Sequence, residues 1–189
     1  MNPGRILRAE QLQPQPWRNG QGITREIAVM PPGAGMDDFL WRVSLADVVG
    51  AAPFSRFPGV DRTIVLLDGA GFRMTLDGAQ EHDLTTLCVP FAFPGEAAVA
   101  VALAGGATRD FNLMLRRGRA TGGVEVWREP GARACPAELV LLHTVRGPVE
   151  TPAGTLAAGD SWLAGSAAGD AVMLGAGALA LAVQVHRAG

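Results

Sequence analysis

From Ile23 to Leu115 the chain is cut into short apolar runs, each closed by glycine, proline or aspartate, and this punctuation dictates β structure. Ile23-Thr24-Arg25-Glu26-Ile27-Ala28-Val29 reads as a strand with Ile23, Ile27 and Val29 on one face and Thr24, Glu26 and Ala28 on the other. Arg25 interrupts its apolar side. Phe39 to Leu45 alternates in the same way, setting Phe39, Trp41, Val43 and Leu45 against Leu40, Arg42 and Ser44. Thr63–Leu67 and Gly71–Leu76 read as a hairpin turned by Asp68-Gly69-Ala70, with the polar run from Ala79 to Asp83 as a loop tip. Leu84–Val89 and Ala97–Leu103 read as strands flanking an aromatic-anchored turn at Phe91–Gly95. Asp110–Leu115 sets Phe111, Leu113 and Leu115 against Asp110, Asn112 and Met114. No segment combines a helical period with caps, so the expected class is an all-β sandwich or barrel.

A sparser series of the same rhythm follows. Glu138–Val145, Thr155–Leu163, Ala171–Leu174 and Leu179–His186 are separated by Gly-Pro, Pro-Ala-Gly and Gly-Ala-Gly turns. Two consecutive β units of like pattern suggest a duplicated barrel, divided as residues 1–120 with the N-terminal strands and a smaller unit over 121–189. The stretch Leu156-Ala157-Ala158-Gly159-Asp160-Ser161-Trp162-Leu163 is the strongest clue, because a Gly-Asp corner before a short apolar strand is typical of cupin-like barrels.

Composition narrows the partners. With 48% hydrophobic and 18% charged residues the chain has the makings of a packed domain. A net charge of -2 gives no footprint for nucleic acid or an anionic membrane. Lysine is absent, so arginine supplies every positive charge. Two isolated cysteines, Cys88 and Cys135, make neither a disulfide framework nor a zinc motif. Residues 1–16 lack the apolar centre of a signal peptide, and no apolar run reaches membrane-spanning length, so a cytoplasmic location is expected.

Nucleophile and metal signatures are missing. His82, His143 and His186 are isolated from one another, so neither a metal nor a cofactor is expected. Ser55 has no Gly-x-Ser-x-Gly context, and Gly20-Gln21-Gly22 leads into a strand where a phosphate loop would lead into a helix. Arginines and amides on inward faces remain. The loop from Gly50 to Arg62 carries Phe54 and Phe57, too apolar for a freely solvated loop, and ends in Asp61-Arg62. It is expected to be held down, to aim Asp61 and Arg62 at one place, and to make Arg62 the charged member of a pocket with Asp61 as its structural partner. A guanidinium is a planar fork of donors matched to a carboxylate. Arg42, Asn19, Arg25 and Asn112 are further candidates. The competing reading is an ion network in which Asp61 or Glu26 satisfies these arginines.

Several stretches together resemble the HutD/Ves family of bicupin proteins, associated with histidine utilisation in bacteria. They are Trp17-Arg18-Asn19-Gly20-Gln21-Gly22-Ile23-Thr24-Arg25-Glu26-Ile27, Trp41-Arg42-Val43-Ser44 and Pro53-Phe54-Ser55-Arg56-Phe57-Pro58-Gly59-Val60-Asp61-Arg62. Phe93-Pro94-Gly95-Glu96 and Asp110-Phe111-Asn112-Leu113-Met114 with Arg116-Arg117-Gly118 complete the set. The chain departs from the family pattern at Gln21, where glycine is usual, and at Ile23 and Glu96. The resemblance implies a cupin-like, jelly-roll bicupin without a catalytic metal, forming a homodimer. It also implies a non-enzymatic regulatory protein that senses a small carboxylate of histidine degradation, formylglutamate or urocanate, and restrains that pathway. The anion-binding arginine of the family motif falls on Arg62. The candidate ligand-binding set is therefore Arg62, Arg42, Asn19, Ser55, Phe54, Asn112 and Trp17. The alternatives are a metal-independent cupin isomerase or lyase acting on a small carboxylate or sugar with His82 or Glu26 as base, a stress-related protein of the Ves type, and an interaction module with a relict cavity.

Overall fold

The structure, a computed structural model, describes residues 2–165 and 169–188. Among them the only helical element is a single 3-10 turn, Ala9–Gln11, and the chain is otherwise built of antiparallel strands. No helix among the described residues is long and apolar enough to cross a membrane. In chain order, β1 is Arg5–Leu7, β2 Pro14–Pro16, β3 Gly22–Met30, β4 Trp41–Val48, β5 Val60–Asp68 and β6 Phe72–Leu76. Next come β7 Gln80–Leu84, β8 Pro90–Pro94, β9 Val99–Leu103, β10 Thr108–Arg116, β11 Ala120–Trp127 and β12 Gly131–Ala134. The last six are β13 Leu139–Arg146, β14 Val149–Thr151, β15 Gly154–Leu156, β16 Ser161–Leu163, β17 Ala171–Leu174 and β18 Leu179–Arg187.

Two compact units result. One comprises Gln13–Ala120; the other joins the residues up to Leu12 to those from Thr121 onwards. The N-terminal segment, expected with the first barrel, thus belongs to the C-terminal unit. Backbone pairing explains this: β1 lies antiparallel to β16, with Arg5 opposite Leu163 and Leu7 opposite Ser161. The Trp162 indole N–H also donates to the Pro3 carbonyl at 2.8 Å, and Arg8 pairs with Asp160 at 2.6 Å. The Asp160 carboxylate accepts the backbone N–H groups of Ala9 and Ala157 as well.

The C-terminal unit has a five-stranded sheet, β1-β16-β13-β18-β11, and a four-stranded sheet, β12-β17-β14-β15. Its core draws Leu142, Trp162, Ala180 and Ala182 from the first and Val149, Leu156, Val172 and Leu174 from the second. Small alanines on β18 leave room for Trp127 and Trp162, both fully enclosed. His143 is buried here, its Nδ1 2.9 Å from Ser161 Oγ.

The other unit pairs a six-stranded sheet, β2-β3-β4-β10-β5-β8, with a three-stranded sheet, β7-β6-β9. Ile64, Leu66 and Phe93 of the larger sheet pack on Phe72, Met74, Val99 and Val101 of the smaller. The expected hairpin of β5 and β6 does not form: β5 pairs with β10 and β8, and β6 with β7 and β9. Asp68-Gly69-Ala70-Gly71 is therefore a corner that carries the chain from one sheet to the other. Gly71 has φ +77°, and a Cβ there would lie 1.9 Å from the Leu84 carbonyl oxygen, so only glycine fits the crossing. The neighbouring expectations shift with it. The polar run Gln80–Leu84 is a strand, 85–89 is not, and Phe91 lies inside β8. Edge strands tolerate polar and proline residues because only one side of their backbone is paired.

Candidate functional site

The inner face of the six-stranded sheet is only partly covered by the smaller sheet, and over β4 and β10 it floors a cavity of about 670 Å³. Alternation decides which side chains line it. β10 lies between β4 and β5, with Met114 opposite both Arg42 and Arg62, and Asn112 opposite both Ser44 and Ile64. Arg42 and Arg62 thus share one row of the sheet on either side of Met114, and Ser44 and Asn112 lie one row further along. Trp17, Asn19, Phe54 and Ser55 contribute the rim and roof. Of the sequence-derived candidates, Arg62, Arg42, Asn19, Ser55, Phe54, Asn112 and Trp17 line this one cavity, and Arg25 does not.

The roof is fixed by backbone bonds. Phe54 N–H donates to the Val99 carbonyl at 2.9 Å, and Phe57 N–H to the Gly95 carbonyl at 2.7 Å. The Arg56 guanidinium reaches the Glu96 carbonyl at 2.7 Å, and the Phe54 ring stands edge-on to Phe72, centroids 5.8 Å apart. The Trp17 turn is closed in the same manner: Trp17 N–H donates to Gly22 O at 2.9 Å, and its indole N–H to Thr24 Oγ1 at 2.8 Å. Asn19 Oδ1 accepts the Gln21 N–H at 3.0 Å, so this side chain shapes its own turn.

Arg62 is 6% exposed. Its guanidinium carbon lies 4.8 Å from the Phe93 ring centroid, 5.3 Å from that of Phe54 and 5.5 Å from that of Phe57. Aromatic faces hold a delocalised cation without supplying hydrogen-bond acceptors. Its polar support is Asn112, whose Oδ1 accepts from Arg62 Nη2 at 2.8 Å, while the Asn112 amide donates to Asp110 Oδ1. Arg62 Nε and Asp110 Oδ2 are buried without a hydrogen-bond partner among the described residues. Burial lowers the Arg62 pKa to about 10, offset by Asp110 and reinforced by Arg42. Burial raises that of Asp110 to about 7 against the opposing pull of Arg62. Arg62 therefore stays cationic at neutral pH while Asp110 titrates there.

Asp61 is not the partner of Arg62. Both lie in β5, so successive side chains point to opposite faces; Asp61 turns outward and pairs with Arg117 at 2.7 Å. Arg25 likewise faces away from the cavity and pairs with Asp47. The ion-network reading does describe Arg42, whose Nε donates to Glu26 at 2.7 Å while the side chain borders the cavity. Asp110 is a site member that the sequence-derived candidates omit, although its place two residues before Asn112 on the same face is the available signal. His82 falls within β7, not on a loop, stacked on Phe91 with centroids 3.5 Å apart, and is not among the cavity residues.

The cavity's lining thus carries the guanidinium groups of Arg18, Arg42 and Arg62 against one buried carboxyl, Asp110. With Arg42 neutralised by Glu26, Arg62 remains as an enclosed cation with no carboxylate in direct contact among the described residues. Such a site favours an anion, and its planar donors suit a carboxylate. Among the described residues no cluster of His, Cys, Asp and Glu has the makings of a metal site.

Comparison with known proteins agrees with this architecture. An uncharacterised 21.2 kDa protein from the hutC 3' region of Pseudomonas putida is 37% identical over 150 residues, covering 79% of this chain and 78% of its own. Protein Ves of Citrobacter koseri is 42% identical over 111 residues, covering 58% of this chain and 56% of its own. The structure of HutD from Pseudomonas fluorescens SBW25, in a formate condition, superposes with a TM-score of 0.85 at 31% identity, over 98% of this chain and 99% of that one. The family model described as HutD matches residues 9–185. With nearly its whole length matched in sequence and in fold, the chain belongs to the HutD family.

Proposed function

We propose that the protein is a non-enzymatic binding protein that holds a small carboxylate in the cavity beneath the 49–59 loop, with Arg62 as its charged anchor. The observation that carries this reading is the isolation of Arg62: a buried guanidinium between aromatic faces, supported by one amide and, among the described residues, lacking a carboxylate in contact. A buried cation without a direct counter-ion is costly, and a bound carboxylate relieves that cost through charge-assisted hydrogen bonds. The volume of about 670 Å³ accommodates a small metabolite. Membership of the HutD family, and the hutC 3' region to which the Pseudomonas putida relative is ascribed, direct the choice of ligand to histidine degradation, with formylglutamate and urocanate as the candidates. In this reading a cytoplasmic homodimer senses the metabolite and restrains histidine utilisation.

The test is calorimetric titration of formylglutamate and urocanate into the wild-type protein and the Arg62→Ala variant. Saturable binding of either ligand, weakened in the variant, supports the reading; absence of binding, or equal binding by both proteins, overturns it. A metal-independent cupin enzyme is the second reading, and the near-neutral titration of Asp110 favours it, since acid–base groups are tuned to that range. Against it, Asp110 is fully enclosed and one of its oxygens is occupied by Asn112. Chromatographic detection of a product from either ligand separates the two readings.

A further inference from the structure

Asp110 makes no ion pair among the described residues, yet it is a carboxyl with no solvent exposure in the floor of an arginine-lined cavity. Its connection to Arg62 is indirect. Asn112 stands between them, accepting from Arg62 with its oxygen and donating to Asp110 with its nitrogen. A guanidinium only donates, so Arg62 fixes the amide with its oxygen towards itself and its nitrogen towards Asp110, which couples the carboxyl to the cation through one oriented side chain. Asp110 Oδ2 is buried and has no hydrogen-bond partner among the described residues, which leaves a place for a proton and no other group to stabilise charge on that oxygen.

We propose that Asp110 is a proton-linked positioning residue: a carboxylate entering beside Arg62 takes up a proton at Asp110, so that anion affinity is governed by pH. The inference rests on the cavity being an anion site. Arg62, linked to Asp110 through Asn112, is the cation that favours the ionised Asp110 carboxylate. An incoming anion neutralises that cation and places a second negative charge in the same enclosed space. Ionised Asp110 and the ligand compete for one guanidinium; protonated Asp110 does not compete. By linkage the effect is reciprocal, and the ligand that favours protonation is bound more tightly when Asp110 is already protonated.

The other charges around Asp110 do not replace Arg62 in this role. Arg42 on β4 is engaged by Glu26 of β3. Asp47, also on β4, is held by Arg25 and Arg109 and pushes the Asp110 proton affinity up further. The smaller sheet presents apolar side chains such as Phe72 and Met74, and Arg18 at the mouth is exposed. Burial already brings the Asp110 pKa to about 7, which places the competition at neutral pH.

The experiment has two arms. Carbon-13 NMR follows the Asp110 carboxyl through a pH titration of the ligand-free wild type, of the wild type in saturating formate, and of Arg62→Gln. The Asp110 midpoint is expected to rise both with formate and with loss of the Arg62 charge. In the second arm, formate, formylglutamate and urocanate are titrated at about pH 6 and about pH 8 at constant ionic strength, where each unit by which the anion raises that midpoint gives up to about tenfold tighter binding at the lower pH. Asp110→Asn, neutral and close in shape, is expected to bind at the higher pH as wild type does at the lower, with no pH dependence. If only formate binds, and does so with this pH dependence, the ligand assignment falls and the proton linkage stands. If no carboxylate moves the Asp110 midpoint, or affinity is flat with pH in the wild type, the linkage is overturned.

Discussion

Arg62 Nη2 donates to Asn112 Oδ1 at 2.8 Å, tying β5 to β10 inside the cavity and leaving the guanidinium, among the described residues, without a carboxylate in contact. Because both residues are buried, this bond is more than a surface decoration. Replacing Asn112 with leucine strands Arg62 Nη2 and Asp110 Oδ1 together, and each stranded buried group costs about 1–3 kcal/mol. Urea unfolding of Asn112→Leu should show that loss; a midpoint equal to the wild type would mean that the relay contributes nothing.

Asp61 should behave quite differently from its neighbour. Its pair with Arg117 is half-exposed and on the far side of the sheet from the cavity. Asp61→Asn is expected to shift stability by no more than about 1 kcal/mol and to leave carboxylate titrations unchanged. A large loss of binding would place Asp61 in the site after all.

The stability profile should carry the mark of Asp110. Its folded pKa, about 7, lies above its ordinary value of 3.8, so between these limits Asp110 is more protonated in the folded protein than in the unfolded chain. The contribution is fully present below the unfolded value and is lost as pH rises through the folded one. Denaturant midpoints should therefore fall between about pH 4 and about pH 7, and Asp110→Asn should flatten that slope. Glu96, drawn down from 4.5 to about 2 by Arg117, acts in the opposite sense, its contribution present above the unfolded value and lost as pH falls from there through the folded one. An unchanged slope in Asp110→Asn would remove Asp110 as its source.

The corner between the sheets gives a prediction about the fold. At Gly71 an added Cβ would meet the Leu84 carbonyl oxygen at 1.9 Å, whereas at Gly59, of similar φ +71°, it meets nothing within 4 Å. Gly59→Ala should cost about 1–2 kcal/mol, the left-handed penalty alone. Gly71→Ala adds a clash with backbone and should cost clearly more. Equal thermal midpoints for the two variants would contradict that crossing.

Strand alternation makes much of the site legible in the sequence itself. Arg42 with Ser44, and Asp110 with Asn112 and Met114, follow from a period of two, and the aromatic residues of the 49–59 loop mark it as held down. What escapes is long-range pairing. Asp68-Gly69-Ala70-Gly71 has the composition of a hairpin turn, yet the pairing of β5 with β10 and β8, and of β6 with β7 and β9, makes it a corner between sheets. Nor does local sequence disclose that Arg5–Leu7 will pair with Ser161–Leu163, since the hydrogen bonds involved are set by a register across the whole chain. The expected pairing of Asp61 with Arg62 fails for a similar reason: adjacency in sequence is not adjacency in space, and β5 begins early enough to send the two side chains to opposite faces.

The central claim is that Arg62 anchors a carboxylate within the cavity, and its loss should weaken binding by about 2–3 kcal/mol, as expected of a charge-assisted contact. The most direct measurement is a crystal structure of the wild-type protein soaked with formylglutamate. The expected result is a carboxylate within hydrogen-bonding distance of the Arg62 guanidinium, beneath Phe54 and beside Asn112. An empty cavity at saturating ligand, or a ligand bound away from Arg62, would contradict it.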